Sequence, residues 1–134
     1  MKSQKIFKTL PKNFRREEEA LISRGLDSME SVKEISDDEI INLVKSRYCT
    51  ERNLRRLRCI ALLVCELNLS QREAALLMHS GISSIEALKK STPQEVINKT
   101  GRLERNLKPG TDTVVNLEKA NKWINQAKEW DKLK

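Results

Sequence analysis

Aromatic residues are scarce in this chain, and so are the residues that build metal sites and disulfides. Aromatics make up 4% of the 134 residues, and the sequence has one histidine, His79, and three cysteines, Cys49, Cys59 and Cys65. No cysteine pair has the spacing of zinc ligands, so we expect no metal site. The odd number of cysteines, two of them within an apolar run, predicts reduced thiols in a cytoplasmic protein.

The chain also lacks the usual signatures of catalysis and of membrane insertion. We find no Ser/His/Asp set, no carboxylate pair in an apolar setting and no nucleotide-binding loop, so we expect neither an enzyme nor a bound cofactor. The uninterrupted apolar stretch Cys59–Cys65 is far shorter than the ~20 residues that span a bilayer. Few glycines and prolines, with Leu, Ile and Ala as the main apolar residues, favour an all-α fold.

Charge is distributed unevenly along the chain, whose formal net charge is +7. Residues 1–16 carry six basic and no acidic side chains, residues 17–48 carry a net charge of −5, and residues 49–134 carry +6. Attraction to a polyanion must therefore come from the amino-terminal arm and the second half. The arm also contains spaced apolar residues, so it either docks on the body of the protein or follows phosphates or a membrane surface.

The longest apolar segment lies near the middle of the chain, at Leu54–Leu67. It contains two seams at helical spacing: Leu54, Leu57, Ala61 and Val64 in one, and Ile60, Leu63 and Leu67 in the other. A helix with two apolar seams must be covered on both sides. The pattern therefore predicts a buried central helix with a packing partner on each side.

An internal repeat supplies these two partners. At a constant offset of 56 residues, segment 16–42 aligns with segment 72–98 without a gap, and ten of the 27 aligned pairs are identical. This identity is far above chance, so we interpret it as a duplication of one helical unit.

Each repeat has the pattern of three helices separated by tight turns. Gly25 and Gly81 stand where the first helix would end in a left-handed residue. The predicted capping boxes are Asp27–Glu30 and Ser83–Glu86 for the second helices, Ser36–Glu39 and Thr92–Glu95 for the third helices, and Ser70–Glu73 for the helix that opens the second repeat.

The closing helices of the two repeats align only after a gap, because their offset is 63 residues and not 56. We place the extra residues in an inserted loop at 101–112, before a final helix at about 113–130. The predicted organisation is a basic arm (1–15), an acidic helical unit (16–67) that ends in the central helix, and a basic helical unit (68–134).

The second repeat carries a pattern that supports a family resemblance. Its residues are Leu77, Gly81, Ile82, Ser84, Ile85, Leu88, Thr92, Glu95 and Val96. This pattern resembles the helix-hairpin-helix superfamily, especially the C-terminal domain of the bacterial RNA polymerase α subunit. It also resembles a family of largely cyanobacterial helix-hairpin-helix-like proteins of unknown function. The resemblance covers roughly residues 15–127 and implies two tandem helix-hairpin-helix-like (SAM-like) units fused through a shared central helix.

The resemblance implies a role for Arg72. In the polymerase domain, a Leu-Ser/Thr-x-Arg sequence places its arginine in the DNA minor groove, and the matching residues here are Leu69–Arg72. The family's assisting asparagine is Ala75 in this chain. The family's phosphate-holding hairpin matches Lys99–Arg102, which contains one glycine.

The candidate nucleic-acid contacts are Arg72, Lys99, Arg102, Arg105 and Lys108. On one face of a folded second unit they would neutralise several phosphates and give strongly salt-dependent binding. The alternative is a solvated basic surface in which Arg72 pairs with a nearby carboxylate.

Two further groups of residues have two interpretations each. The arginines at 52, 55, 56 and 58 either contact nucleic acid or pair with acidic residues 17–19 and 37–39, and we favour pairing because unit one is acidic. Trp123 and Trp130 share one helix face, which either packs in the core or binds a protein partner; we favour the core.

Two non-enzymatic functions follow from these patterns. The first is binding of duplex DNA, or another polyanion, through the basic second unit. The second is a role as a protein–protein adaptor or assembly factor that makes no contact with nucleic acid. Fold resemblance alone does not decide between them, because one fold hosts many functions.

Overall fold

The computed structural model describes residues 14–46, 49–107 and 115–132, so most of the predicted amino-terminal arm lies outside it. Within these ranges the chain forms α-helices and no strand, and the all-α prediction is confirmed. The helices are α1 (Arg15–Ser23), α2 (Met29–Lys33), α3 (Asp37–Ser46), α4 (Glu51–Leu67), α5 (Gln71–His79), α6 (Ile85–Lys90), α7 (Pro93–Leu107) and α8 (Leu117–Lys132). None of the helices that the structure describes has both the length and the apolar character needed to cross a membrane.

Helix α4 lies at the centre of the packing. It contacts α2 and α3 from the first part of the chain and α5 and α8 from the second part. Its buried residues are Leu54, Leu57, Ile60, Ala61, Leu63 and Leu67, as the two seams predict. Val64 of the first seam is the exception, since it is only half-buried. Cys59 and Cys65 are also half-buried, so the helix is not covered on every side.

Helix starts at three of the predicted capping boxes are confirmed. The Glu39 amide donates to Oγ of Ser36 and the Ser36 amide donates to Oε1 of Glu39, both at 3.1 Å. Reciprocal bonds of the same kind join Thr92 to Glu95 at the start of α7. A third box joins Ser70 to Glu73 at the start of α5. Each box satisfies amide groups that have no partner inside the helix.

The predicted caps of the two short helices α2 and α6 are wrong by one residue. Ser28 and Ser84, not Asp27 and Ser83, are the cap residues, and both have an extended backbone. Their hydroxyls accept from the amide three residues further on, at 3.1 Å for Ser28 and 2.9 Å for Ser84. Adjacent polar residues made the position ambiguous in sequence, whereas only one of them reaches the third amide.

Tight turns end α1 and α5 in the same way. Gly25 has φ +77° and Gly81 has φ +95°, a region that side chains other than glycine rarely adopt. In the first turn the Leu26 amide donates to the Leu21 carbonyl, and 56 residues later the Ile82 amide donates to the Leu77 carbonyl, both at 2.9 Å. These bonds close the carbonyl ends of the two helices.

The predicted insertion at 101–112 is helical over the part that the structure describes. Helix α7 continues through Gly101 to Leu107, and residues 108–114 lie outside the described residues. Helix α8 begins at Leu117, later than the predicted start near residue 113, because Asn116 caps it by accepting from the Lys119 amide at 2.8 Å. Glycine costs a helix only about 1 kcal/mol relative to alanine, so Gly101 does not stop α7.

Candidate nucleic-acid interface

The outward face of α7 carries three of the predicted nucleic-acid contacts. Val96 and Thr100 are buried on the side that packs against α5 and α8. Lys99, Arg102 and Arg105 are exposed and follow one another at three-residue spacing. At 100° and 1.5 Å per residue, each is turned by about 60° from the previous one. They therefore form a stripe about 9 Å long that curves across about 120° of the exposed surface of α7.

These three cations differ from Lys33, Arg55 and Arg58, which form ion pairs between helices. Among the residues that the structure describes, none of Lys99, Arg102 and Arg105 lies within 4.0 Å of a carboxylate oxygen. Thr100 anchors the opposite side of the helix, since its hydroxyl donates to the Val96 carbonyl at 2.8 Å. The stripe is therefore a free basic surface on a packed helix.

Glu95, predicted from the sequence only as a capping residue, is also exposed beside these cations on α7. It stands four residues before Lys99, a spacing that brings side chains together on a helix and could have predicted this proximity. The pKa of Glu95 is lowered mainly by the hydrogen bond that its carboxylate accepts from the Thr92 amide, and the charge of Lys99 lowers it further. Glu95 is therefore ionised at neutral pH, and the face is acidic at its start and basic towards its end.

Arg72 is exposed in the first turn of α5, a helix that packs against α7. It has no ion pair within the described ranges, so the predicted alternative of pairing is not observed there. Its neighbour Glu73 instead binds Lys119 of α8 at 3.0 Å. Burial opposes ionisation of Glu73, yet the hydrogen bonds from Ser70 and Lys119 outweigh it and lower the pKa of Glu73. Lys108 lies outside the described residues.

The predicted phosphate-holding hairpin is not formed by Lys99–Arg102. These residues are in the middle of α7, and Gly101 is buried. Amides in the interior of a helix donate to the carbonyls four residues earlier, so they are not available to a phosphate. Contact with an anion at this site must come from side chains.

The arginines of α4 are different from those of α7. Asp37 of α3 accepts from Arg58 at 2.8 Å and from Arg55 at 3.1 Å, and Arg55 also binds Glu51. The hydrogen bond from Arg58 and the charge of Arg55 lower the pKa of Asp37. The favoured interpretation, internal pairing with the acidic first part of the chain, is confirmed for these two arginines.

Trp123 is not available to a protein partner, because only 3% of it is exposed and it packs in the core with Ala120 and Ala127. Trp130 is half-buried, and its indole N–H donates to Oε1 of Glu66 at 2.6 Å. The other oxygen of Glu66 accepts from Lys33 of α2 at 2.8 Å. Glu66, which sequence analysis did not single out, thus links α2, α4 and α8.

Next to this link, α4 and α8 border a shallow open cleft of about 450 Å³. Its lining includes Asn68, Lys122, Gln126 and Trp130. The lining is mixed in charge and provides no group of metal ligands; among the described residues no cluster of three His, Cys, Asp or Glu side chains could hold a metal ion.

None of the three cysteines is in a disulfide, and the two on α4 are poor nucleophiles. Burial raises the pKa of Cys59 to about 11, and its thiol donates to the Ser83 carbonyl at 2.8 Å. Burial, together with Glu30, raises the pKa of Cys65 to about 11. Because the thiolate is the reactive form, these residues are largely unreactive at neutral pH.

Comparison with known proteins assigns the chain to a family without a known activity. Residues 11–130 match the family described as "Domain of unknown function (DUF4332)", and the chain therefore belongs to that family. No curated protein and no solved structure matches the chain. Any function must therefore be argued from the chain's own residues.

Proposed function

We propose that this protein is a non-enzymatic module that binds duplex DNA, with α7 as the contact helix. The observation that carries the proposal is the stripe of Lys99, Arg102 and Arg105, which is exposed and free of ion pairs in the described part of the chain. The phosphate backbone supplies most of the affinity of such modules, and lysine and arginine side chains supply the neutralising charge.

The distribution of paired and unpaired cations supports this assignment. Arg55 and Arg58 are bound to Asp37, and Lys33 is bound to Glu66, so these cations serve the packing of the protein. The α7 cations form no ion pair to another described helix, although Lys99 acts on Glu95 of its own helix. A basic stripe that is not used between helices is what a polyanion requires. The resemblance to helix-hairpin-helix proteins adds Arg72, which is exposed on the neighbouring helix.

The architecture proposed with this function is two tandem helix-hairpin-helix-like units that share α4. The matching turns at Gly25 and Gly81 and the matching capping boxes at Ser36 and Thr92 support it. In this arrangement only the second unit binds DNA, because the first unit offers an acidic surface.

The proposal predicts how steeply DNA affinity falls as salt concentration rises. If Arg72 and the three α7 cations each neutralise one phosphate, the logarithm of the association constant falls with the logarithm of salt concentration with a slope of about −3.6. Because the three α7 cations would contact the backbone, affinity should differ little between duplexes of unrelated sequence.

The test compares two variants with the same net charge. The first carries Lys99→Gln, Arg102→Gln and Arg105→Gln; the control carries Lys45→Gln, Arg52→Gln and Lys128→Gln, three cations exposed on other helices. Binding to a fluorescent duplex is measured by anisotropy over a salt series. We expect the first variant to reduce the slope by about 3 and the control to leave it nearly unchanged.

A further single variant, Arg72→Ala, tests the contribution implied by the resemblance. We expect a slope smaller by about 1. No binding of wild-type protein to duplex DNA at low salt would overturn the proposal and leave the protein–protein adaptor as the function to pursue, by pull-down with the intact chain.

A further inference from the structure

The outward face of α3 has no packing partner in the described chain and contains one of the two large apolar residues that are strongly exposed there. Ile41 is 40% exposed, and Asp38, Asn42 and Lys45 are exposed beside it. These four residues recur at helical spacing and form one surface, here called the α3 face. The α3 face is acidic at the start of the helix and basic at its end, and Asp38 has no ion pair within the described ranges.

The outward face of α7 has the same order of charges along the chain. Glu95 is exposed near its start, and Asn98, Lys99 and Arg102 follow on the same side. Asp38 and Lys45 are seven residues apart on α3, and Glu95 and Arg102 are seven residues apart on α7. Each pair therefore spans about 10.5 Å along its helix axis.

From this match we propose that α3 of one copy of the protein packs antiparallel against α7 of a second copy. In that orientation Asp38 faces Arg102, and Lys45 faces Glu95. Both charge pairs form at once because the two spans are equal, and the antiparallel arrangement also opposes the two helix dipoles.

The residues between the charge pairs fit the same register. Ile41 lies three residues after Asp38, and Lys99 lies three residues before Arg102, so Ile41 meets the aliphatic stem of Lys99. Asn42 meets Asn98 one position further along. The side-chain amide of Asn98 accepts from Gln94 at 3.0 Å, which leaves its own N–H groups for Asn42.

This contact joins two different surfaces, so it is a head-to-tail contact. Each copy offers one α3 face and one α7 face, and association can continue into rings or open chains. The charge pairs are exposed at the rim, so the contact weakens as salt shortens the Debye length from about 30 Å at 0.01 M to about 8 Å at 0.15 M.

The inference goes beyond DNA binding but concerns the same α7 stripe. Duplex DNA and the α3 face of a second copy would compete for Arg102. Self-association is measured without nucleic acid, so its failure and the failure of DNA binding are separate results.

The experiment uses charge reversal and measures the molar mass of the intact chain by sedimentation over a concentration series at low salt. For wild-type protein we expect the mass to rise above 15.5 kDa with concentration and to return to it at high salt. Asp38→Arg alone and Arg102→Glu alone should each remain at the monomer mass, because each places like charges opposite one another. The two substitutions in one chain restore opposite charges and should restore the wild-type rise.

Two controls separate the specific contact from net charge. Asp27→Arg changes the net charge by the same amount as Asp38→Arg, but at an exposed position outside the α3 face. It should leave self-association intact. Arg102→Glu brings the net charge closer to zero, which by itself favours association, so its expected loss cannot be a net-charge effect. A monomeric wild-type protein at low salt, or a double variant that fails to regain association while both singles remain folded, would overturn the proposal.

Discussion

Helices α3 and α7 occupy positions 56 residues apart in the chain, and they begin alike but end differently. Both start at a reciprocal capping box, Ser36 with Glu39 and Thr92 with Glu95, and both bury the next apolar residue, Ile40 in α3 and Val96 in α7. Up to this point the two helices have the same local chemistry and the same structure.

Their remaining turns differ in length and in the face that is buried. Helix α3 buries Leu43 and extends to Ser46, whereas α7 buries Thr100 and continues to Leu107. As a result, Lys99, which aligns with Leu43, points away from the protein. Helix α3 packs on α4 alone among its main contacts, whereas α7 packs on α5 and α8. The start of a helix is thus set by local capping, and its buried face is set by its neighbours.

The aligned residues Glu17 and Glu73 have the same role but different partners. Glu17 is 2% exposed, and its Oε2 accepts from the Thr50 amide at the start of α4 at 2.8 Å. Glu73 binds its own cap residue, Ser70, and Lys119 in the first turn of α8. Both residues therefore join the first helix of a repeat to the start of the closing helix, one through a backbone amide and the other through an ion pair.

The largest expected effect comes from breaking the helix that both parts share. Leu63 is fully buried on α4, so Leu63→Asp places a carboxylate in the core and should lower the free energy of unfolding by at least about 4 kcal/mol. Because α4 contacts helices on both sides, amide hydrogen exchange should show α1–α3 and α5–α8 losing protection together. Arg52→Asp, exposed on the same helix, is the control. Retained protection in one part alone would contradict a shared core.

The next effect tests the link that Glu66 forms between the two parts. Trp130→Phe removes the indole N–H bond to Glu66 and should lower the free energy of unfolding by about 1.5–3 kcal/mol, the range for hydrogen bonds to charged groups. Urea denaturation of wild-type and variant protein measures this loss in the free energy of unfolding. Trp→Phe also removes apolar contacts, so a double-mutant cycle with Glu66→Met, which keeps the side-chain length but has no oxygen acceptor, isolates the bond. Additive effects would show that the bond contributes nothing.

A smaller, paired effect tests how similar the two repeats are. Gly25→Ala and Gly81→Ala should each lower the free energy of unfolding by about 1–2 kcal/mol, because alanine resists positive φ. A Cβ atom at either position meets no atom within 4 Å, so conformational strain is the sole expected cause. Asparagine tolerates this region better, and the Gly→Asn variants should be milder. Clearly unequal losses in thermal unfolding would mean that the two turns are not equivalent.

The sequence predicted those parts of the fold that depend on a few neighbouring residues. Reciprocal Ser/Thr–Glu boxes, left-handed glycines and the apolar seams of α4 were all visible as spacing. The caps of α2 and α6 were placed one residue too early, since Asp27 and Ser28 are both good cap residues and only the backbone conformation separates them.

The error at 101–112 had a different cause. A glycine and a later Pro-Gly pair suggested a loop, but α7 runs through Gly101 because Val96, Thr100 and Leu103 pack against neighbouring helices. The resemblance placed Lys99 and Arg102 at a phosphate-holding hairpin, whereas Lys99, Arg102 and Arg105 are exposed on one helix. The pairing of Trp130 with Glu66 could not be predicted, because 64 residues separate them.

The smallest effect concerns His79, whose aligned residue in the first repeat is Ser23. Its ring lies 5.8 Å from that of Phe14, and its Nε2 is buried without a hydrogen-bond partner in the described structure. Burial, with a contribution from Arg56, lowers the pKa of His79 below 6.5. The neutral ring therefore contributes stability that is fully present above pH 6.5 and is lost as pH falls through the folded-state pKa. The unfolding free energy should decline between pH 7.5 and 5.5, above the range where Asp37, Glu73 and Glu95 titrate. His79→Leu should flatten that decline in urea titrations at constant ionic strength, and an unchanged decline would show that another group is responsible.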